Sequence, residues 1–271
     1  MKIFSVWLLV VAAMALQACS TETEEAAVED TAAEPSVVRV EPAPTPKATL
    51  EAAIANIPDR PADDAARDAG RNPAGVLAFL GLEPGLTVLD VFAAGGWYSE
   101  VLAAGVGPEG RVIIQNPQHL LEVRGGVYAK QLAARLEGGR LGNISRMDVN
   151  VHELDLEPGS VDVALTALNF HDMYYLISPE AAAATLASIH ALLRPGGVLG
   201  VIDHVGAPEA DNATLHRIDP QIVRDMAVAA GFIVEAETEV LHNPDDDLTQ
   251  KVFAPEIRGK TDRFVLRLRK P

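Results

Sequence analysis

Basic residues are scarce in this chain, and no stripe of them lies along it. Of its 271 residues, 22 are Lys or Arg and 38 are Asp or Glu, which gives a net charge of −16. Such an acidic surface repels phosphate backbones, so we expect no nucleic-acid partner. Internal repeats are absent as well. Apolar residues are plentiful, at 48% of the chain, which is enough for one full α/β core or at most two small ones.

The apolar run near the N-terminus is too short to predict a membrane span. It follows the positive Lys2 and ends in Leu16-Gln17-Ala18-Cys19, which contains the only cysteine. This ending resembles the bacterial lipoprotein signal, in which the thiol is acylated and the chain is cut before it. The alternative is an ordinary secretory signal with a chance cysteine. We expect residues 1–18 to be a lipoprotein signal peptide and Cys19 to be the lipidation site.

An acylated Cys19 predicts a protein held on the cell envelope. Several acyl chains on the mature N-terminus would bind a bilayer far more firmly than one. Ser20, which follows the cysteine, favours the outer membrane by its resemblance to known sorting rules. We therefore expect a lipid-anchored, periplasm-facing protein whose membrane contact is the acylated cysteine.

Residues 19–47 differ from the rest of the chain in composition. Their charged residues are mostly acidic, and they contain Pro35, Pro42, Pro44 and Pro46. Low hydrophobicity combined with self-repelling charge does not offset the entropy of ordering the chain. We predict an acidic, proline-rich, disordered tether here and a folded domain over residues 48–271.

Short apolar segments alternate with helical ones throughout this predicted domain. That alternation is typical of an α/β, Rossmann-like, doubly wound sheet that is mostly parallel, and the last strand pair suggests an antiparallel edge strand. Helical turns before the first long strand predict a small N-terminal cap. The predicted strands are Thr87–Phe92, Arg111–Gln115, Ile144–Val149, Val161–Leu168, Val198–Asp203, Phe232–Leu241 and Arg263–Arg269.

The turn after the first long strand is the most informative candidate site. Ligands of open α/β sheets bind at the carboxyl ends of the strands. Here Asp90 is followed by Ala93-Ala94-Gly95-Gly96, a turn with little side-chain bulk that lets backbone approach a ligand. A dinucleotide site would show G-x-G-x-x-G and a later acid, whereas the second strand ends in Gln115-Asn116-Pro117. An NAD-type oxidoreductase is therefore a weaker alternative.

The segment Val88–Ala103, VLDVFAAGGWYSEVLA, resembles motif I of class I, S-adenosylmethionine (SAM)-dependent methyltransferases. It resembles in particular a bacterial family of predicted, exported methyltransferases whose loop reads roughly W-P-G-G-G-W-Y-T-E-I-L. Further segments agree in order across residues 58–271, among them Asn169-Phe170-His171-Asp172 and Asp203-His204. The resemblance implies a seven-stranded sheet with SAM as the cofactor.

The resemblance also implies which residues surround the cofactor. Two of them depart from the general class I pattern. Ala94 replaces the middle glycine of the loop, and Asn116 stands where many members have an acid for the ribose hydroxyls. The implied cofactor-binding residues are Asp90, Phe92, Ala94, Gly95, Gly96, Asn116, Asp148, Asn150 and Asn169.

Histidines follow two strands that the fold would place side by side. Imidazole suits the removal of a proton from an acceptor because its pKa lies near neutrality. We expect His171 to be a general base or an acceptor-positioning group, with His204 and Asp172 completing the catalytic set. The same side chains could merely cap strand ends and loops. A divalent-metal site that adds Asp203 is a further alternative, but no close motif supports it and we expect no metal.

Two functional hypotheses follow. The first is a SAM-dependent methyltransferase that acts on an unknown small-molecule or envelope acceptor and has no obligate protein partner. The second is a non-catalytic, ligand-binding lipoprotein that retains the methyltransferase fold. The hypotheses compete because SAM is made in the cytoplasm, whereas the N-terminus argues for export. A fold alone does not decide between them.

Overall fold

The computed structural model describes the backbone of residues 38–39 and 44–271 and the side chains from residue 47 onward. Residues 1–18, Cys19 and most of the predicted tether lie outside the described residues. Helix α1 spans Pro44–Ala55, and strand β1 spans Val38–Arg39. The prolines of α1 occupy its first turn, where a missing N–H costs no hydrogen bond. Regular structure therefore extends into the segment predicted as tether.

The predicted N-terminal cap is present as four short helices. After α1 come α2 (Ala62–Ala65), α3 (Asp68–Arg71) and α4 (Pro73–Leu80). The Asn72 side chain accepts a hydrogen bond from the Gly75 amide and so caps α4 at its start. Every residue of α4 is buried, so this helix anchors the cap to the sheet.

Seven further strands and six further helices complete the domain, and a long loop connects β7 to β8. The strands are β2 (Thr87–Val91), β3 (Arg111–Gln115), β4 (Ile144–Met147), β5 (Val161–Ala167), β6 (Leu193–His204), β7 (Ile233–Thr238) and β8 (Arg263–Arg269). The helices are α5 (Trp97–Val106), α6 (Gln118–Leu136), α7 (Phe170–Asp172), α8 (Pro179–Leu192), α9 (Asn212–Leu215) and α10 (Pro220–Ala229). A π-helical turn, Met173–Ile177, follows α7.

All the strands join one sheet in the order β1-β7-β8-β6-β5-β2-β3-β4. Strands β2 to β6 run parallel to one another, which confirms the predicted doubly wound, mostly parallel, seven-stranded sheet. Strand β8 is antiparallel and lies between β6 and β7, one position inside the edge. The two-residue β1 adds an eighth strand beside β7. Strand order reverses between β2 and β5, so the switch point of the sheet lies there.

A hydrophobic core covers each face of the sheet. Successive side chains of a strand point to opposite faces, and the fully buried Val88 and Leu89 of β2 do so. Val88 packs with the cap helices α1 and α4 and with α5, whereas Leu89 packs with α8 and α10. The result is a three-layer sandwich whose parallel strands all end at one edge. Among the described helices, none combines the length and apolar character needed to cross a bilayer.

Candidate functional site

The turn after β2, residues 92–96, is held in an uncommon backbone conformation. We call it the β2 loop. Phe92 and Ala94 have φ of 53° and 50°, in the left-handed region that side chains other than glycine rarely adopt. Such a strained conformation persists only where surrounding contacts stabilise it. One such contact comes from Gln115, whose Oε1 accepts a hydrogen bond from the Phe92 amide at 3.0 Å.

Asn116 braces the same loop from the end of β3. Its fully buried side chain accepts from the Ala94 amide at 2.8 Å and donates to the Ala94 carbonyl at 3.2 Å. Both ends of the amide are thus used by one residue of the loop. Because the side chain is fully buried, it is not presented to a ribose hydroxyl as the resemblance implied. The described contacts give Asn116 a bracing role.

Asp90 also points into the protein. Its side chain is 2% exposed and accepts a hydrogen bond from the Ser99 hydroxyl at 2.5 Å. Burial raises the pKa of Asp90 to about 7, although the hydrogen bonds from Ser99 oppose the shift. Asp90 therefore ties β2 to the first turn of α5, and its carboxylate is not presented at the surface.

The two glycines of the β2 loop lie against α6. A methyl group added at Gly95 would lie 2.1 Å from Oε1 of Gln131, the free end of an exposed side chain, and 3.1 Å from its Cβ atom. At Gly96, where φ is 76°, it would lie 2.8 Å from a methyl carbon of Leu132. The Gly95 carbonyl accepts a hydrogen bond from Arg135 Nε at 2.9 Å. These glycines let a helix approach the loop closely, a reason that the sequence pattern did not indicate.

A buried charge network lies behind the β2 loop. Fully buried Glu100 of α5 forms ion pairs with Arg135 and with Arg140, the latter at 2.5 Å. Arg135 also pairs with Asp64 of the cap at 2.7 Å. The network joins the cap, α5 and α6, and it brings together residues that sequence analysis did not connect.

Part of the β2 loop remains accessible at the switch point. Residues 92–95 are only partly buried. The Trp97 side chain is buried and turns toward the cap, where its Nε1 donates to the Asp64 carbonyl at 2.9 Å. Across the switch point, Asn169 Nδ2 donates to the Phe92 carbonyl at 3.0 Å and so links β5 to the loop. Small side chains and backbone are therefore what this edge presents.

The remaining predicted cofactor residues lie beyond β4. Asp148 forms an ion pair with Arg146 at 2.7 Å. Exposed Asn150 caps a short helical turn, and its Nδ2 donates to Glu153 at 2.8 Å. Two cavities, of about 490 and 240 Å³, lie at the opposite edge of the sheet and contain none of the predicted site residues.

The acceptor side of the edge is organised around His171. This histidine is 4% exposed, and its Nδ1 lies 2.7 Å from Asp203 Oδ1 while its backbone amide donates to Oδ2. Its Nε2 lies 3.2 Å from Asp172 Oδ1. Burial alone would lower the pKa of His171, but the two carboxylates outweigh it and raise the pKa to about 10. Because both ring nitrogens already face carboxylates, this arrangement favours the predicted positioning role over that of a base.

His204 has the opposite electrostatic character. Its ring centroid lies 5.9 Å from that of His171, and its Nδ1 lies 2.7 Å from the Thr261 hydroxyl. Burial lowers the pKa of His204 to about 3 despite the neighbouring Asp203, so this ring is neutral at physiological pH. The structure thus brings the three predicted catalytic side chains to one place.

A third histidine, His216, joins this place and was not predicted. Its Nδ1 lies 3.1 Å from Asp172 Oδ1, and its ring centroid lies 5.5 Å from that of His171. One ligand atom from each of His171, Asp172 and His216 lies within 4.8 Å of the others. The metal alternative had grouped Asp203 and His204 with His171 and Asp172. In the structure Asp203 stands behind His171, and His204 bonds Thr261.

No family profile and no curated protein matches the chain, but solved structures match its fold. A SAM-dependent methyltransferase from Aquifex aeolicus is 20% identical, with a TM-score of 0.56 over 83% of this chain and 98% of that one. An arsenic(III) SAM methyltransferase from Chlamydomonas reinhardtii is 20% identical, with a TM-score of 0.50 over 82% and 72%. The cyclase SpnF is 18% identical, with a TM-score of 0.54 over 75% and 82%.

These likenesses show the fold. The chain has the class I SAM-dependent methyltransferase fold, as the resemblance of the β2 loop region predicted. At identities of 20% and below they do not transfer an activity, and one of the three neighbours is named for a cyclisation.

Proposed function

We propose that this protein is a SAM-dependent methyltransferase that acts on a small-molecule or envelope acceptor. One observation carries the proposal: a partly exposed loop of small residues occupies the switch point, where open α/β sheets bind ligands. Histidine and aspartate side chains lie next to it along the same edge. The fold and the arrangement of this edge both support methyl transfer.

The residues of the β2 loop fit the cofactor. Ala93 and Ala94 are partly exposed and small, and Asn169 holds the loop against β5. A bound SAM would supply an electrophilic methyl group on its sulfonium. The chain would contribute mainly alignment, since placing two reactants correctly removes much of the entropic barrier of such a displacement.

The acceptor would lie beside the histidines. The Asp172 side chain, 43% exposed, faces solvent and can accept a hydrogen bond from an acceptor hydroxyl. His171, whose two ring nitrogens face Asp203 and Asp172, holds that carboxylate in place. His204 stays neutral and adds a second imidazole to the same wall. In this proposal His171 is a positioning residue rather than the base.

The first test is calorimetry of the full-length protein with SAM and S-adenosylhomocysteine. We expect binding in wild type, equal or tighter binding in Ala94→Gly, and at least tenfold weaker binding in Ala94→Leu. Glycine removes a methyl group and relieves a positive φ, whereas leucine fills the accessible part of the loop. Thermal melts check that each variant is folded. If the folded wild-type protein does not bind SAM at millimolar concentration, the proposal that it is a SAM-dependent methyltransferase is rejected.

The acceptor side is tested separately by His171→Gln. We expect SAM binding to be retained and turnover to fall, measured as S-adenosylhomocysteine release with an envelope extract as the acceptor pool. Glutamine keeps a hydrogen-bond donor for buried Asp203, so the fold should survive. Unchanged turnover would remove His171 from the acceptor site.

Localisation in the envelope is a separate part of the proposal. It is supported by the sequence Leu16-Gln17-Ala18-Cys19. Cys19→Ser should move the protein from the membrane fraction to the soluble periplasmic fraction. A variant that stays on membranes would rule out the acyl anchor.

A second candidate function is a ligand-binding lipoprotein without catalysis. It is favoured by Asp90 and Asn116, whose side chains are satisfied inside the protein and do not face a ligand. Binding of SAM without any release of S-adenosylhomocysteine, over a broad set of acceptors, would favour this candidate.

A further inference from the structure

His171, Asp172 and His216 come together from two separate segments of the chain. The carboxylate of Asp172 lies between the two rings, with its Oδ1 3.2 Å from His171 Nε2 and 3.1 Å from His216 Nδ1. Two imidazoles and one carboxylate are a donor set that borderline divalent metals prefer.

The spacing of these atoms suits coordination. Metal–nitrogen bonds of about 2.0–2.1 Å place neighbouring ligand atoms roughly 2.9–3.4 Å apart in octahedral or tetrahedral geometry. The two measured distances fall within that interval, and all three ligand atoms lie within 4.8 Å of one another. To close the set around one ion, the two imidazole nitrogens would have to lie no more than about 3.4 Å apart, within the 4.8 Å limit that the three ligand atoms already meet.

Asp203 supplies the support that metal-binding histidines usually have. A ligating imidazole normally donates its other N–H to a carboxylate, which fixes the ring and directs the free nitrogen to the metal. His171 Nδ1 lies 2.7 Å from Asp203 Oδ1, and Asp203 is fully buried. The ring of His171 is thereby aimed with its Nε2 toward Asp172.

The position of His216 is fixed by the next residue. His216 has a φ of 56°, and Arg217 after it is fully buried. Arg217 binds both carboxylate oxygens of Asp246 at 2.9 Å. This anchor holds His216 over Asp172, although no regular element of the fold would bring the two together.

We propose that His171, Asp172 and His216 bind one divalent metal ion of the zinc, cobalt or iron type. With only three protein ligands, one of them the 43% exposed carboxylate of Asp172, the ion would be open to solvent on one side, as in metal sites that bind a substrate. Such an ion could polarise an acceptor oxygen next to the methyl donor. That last use rests on the proposed function, whereas the metal binding itself does not.

The test is metal titration of untagged, chelator-treated full-length protein in a Cys19→Ser background, which removes the only thiol. We expect one equivalent of Zn²⁺ by calorimetry and one equivalent of Co²⁺ by visible absorption. Mg²⁺ should not compete, because it prefers oxygen ligands. His216→Gln and Asp172→Asn should abolish both signals, and Asp203→Asn should weaken binding about 10- to 100-fold.

His119→Ala is the matched control, because His119 is exposed and lies on α6 away from the three ligands. It should bind Zn²⁺ like the background protein. Absence of a one-equivalent site in the background protein, or wild-type affinity in folded His216→Gln, would overturn the proposal. SAM titration of His216→Gln separates the two ideas, since loss of metal with retained SAM binding supports the metal site and leaves methyl transfer standing.

Discussion

The β2 loop lies at the same edge of the sheet as a cluster of His171, Asp172, His204 and His216, which we call the histidine group. The two regions use their polar atoms differently. At the β2 loop, the side chains of Gln115 and Asn116 form hydrogen bonds with the loop backbone. In the histidine group, Asp172 is shared between two rings and remains exposed. The hydrogen bonds around the loop fix its backbone conformation, whereas the histidine group presents a polar side chain that can bind a ligand from solvent. The two regions should therefore respond to mutation in opposite ways.

The largest effect is expected behind the β2 loop. Glu100→Gln removes the buried charge that faces Arg135 and Arg140, and breaking such an ion pair costs about 3–5 kcal/mol. Urea unfolding measures the change. Glu109→Gln, on an exposed residue, is the control and should stay within about 0.5 kcal/mol of wild type. A small effect of Glu100→Gln would mean that the loop does not depend on its charged support.

Asp90 should make the stability of this region depend on pH. Because its pKa is about 7 when folded and near 3.8 when unfolded, the folded state retains a proton that the unfolded state loses. The stability contributed by this proton is full below pH 4 and is lost as pH rises through 7. Asp90→Asn should therefore be the more stable protein at pH 8, by up to about 4 kcal/mol, with the gap closing toward pH 4. A gap that does not change with pH would contradict the raised pKa.

Gly96→Ala should cost about 2–4 kcal/mol, from the left-handed φ together with the overlap with Leu132. Gly85→Ala separates the two causes, because Gly85 has a φ of 85° and nothing within 4 Å of an added methyl group. It should cost only about 1–2 kcal/mol. Thermal unfolding of both variants gives the comparison, and equal losses would show that helix α6 yields to the added methyl group.

The smallest effect on stability is expected in the histidine group. Asp172→Asn changes a partly exposed carboxylate whose partner His171 keeps its contact with Asp203, so the free energy of unfolding should fall by no more than about 1 kcal/mol. Calorimetric scanning without added metal measures it. A loss of several kcal/mol would show that Asp172 is structural, and the contrast between the two regions would disappear.

Much of the fold could be predicted because it depends on local patterns. The strands from Thr87 and Arg111 are short apolar runs bounded by turn residues, and their alternation with helices determines a parallel sheet. The placement of β8 inside the edge could not be read from these runs, because pairing order depends on contacts distant in sequence. The start of α1 at Pro44 was not predicted, because the proline-rich composition of this segment indicated a tether. The helix is stabilised by packing, which the composition does not reveal.

The candidate site was predictable in location and less so in detail. His171 and His204 were identified because strand ends of a doubly wound sheet share an edge, and the structure places them there. The bracing role of Asn116 was not predicted. The same sequence pattern fits a side-chain amide that binds a ligand and one that binds the backbone of a neighbouring loop. The position of His216 could not be predicted from the sequence. It follows a four-residue helix, which is too short to show a periodic pattern.

The insertion of β8 between β6 and β7 has a consequence for how the domain forms. Strand β7 is made before β8, yet β8 is the neighbour through which it joins the main sheet. The ribosome therefore delivers β7 with no long partner, and the edge of β6 stays uncovered until β8 is synthesised. A nascent chain in that interval has two unpaired strand edges, so the sheet can close only after β8 has been synthesised.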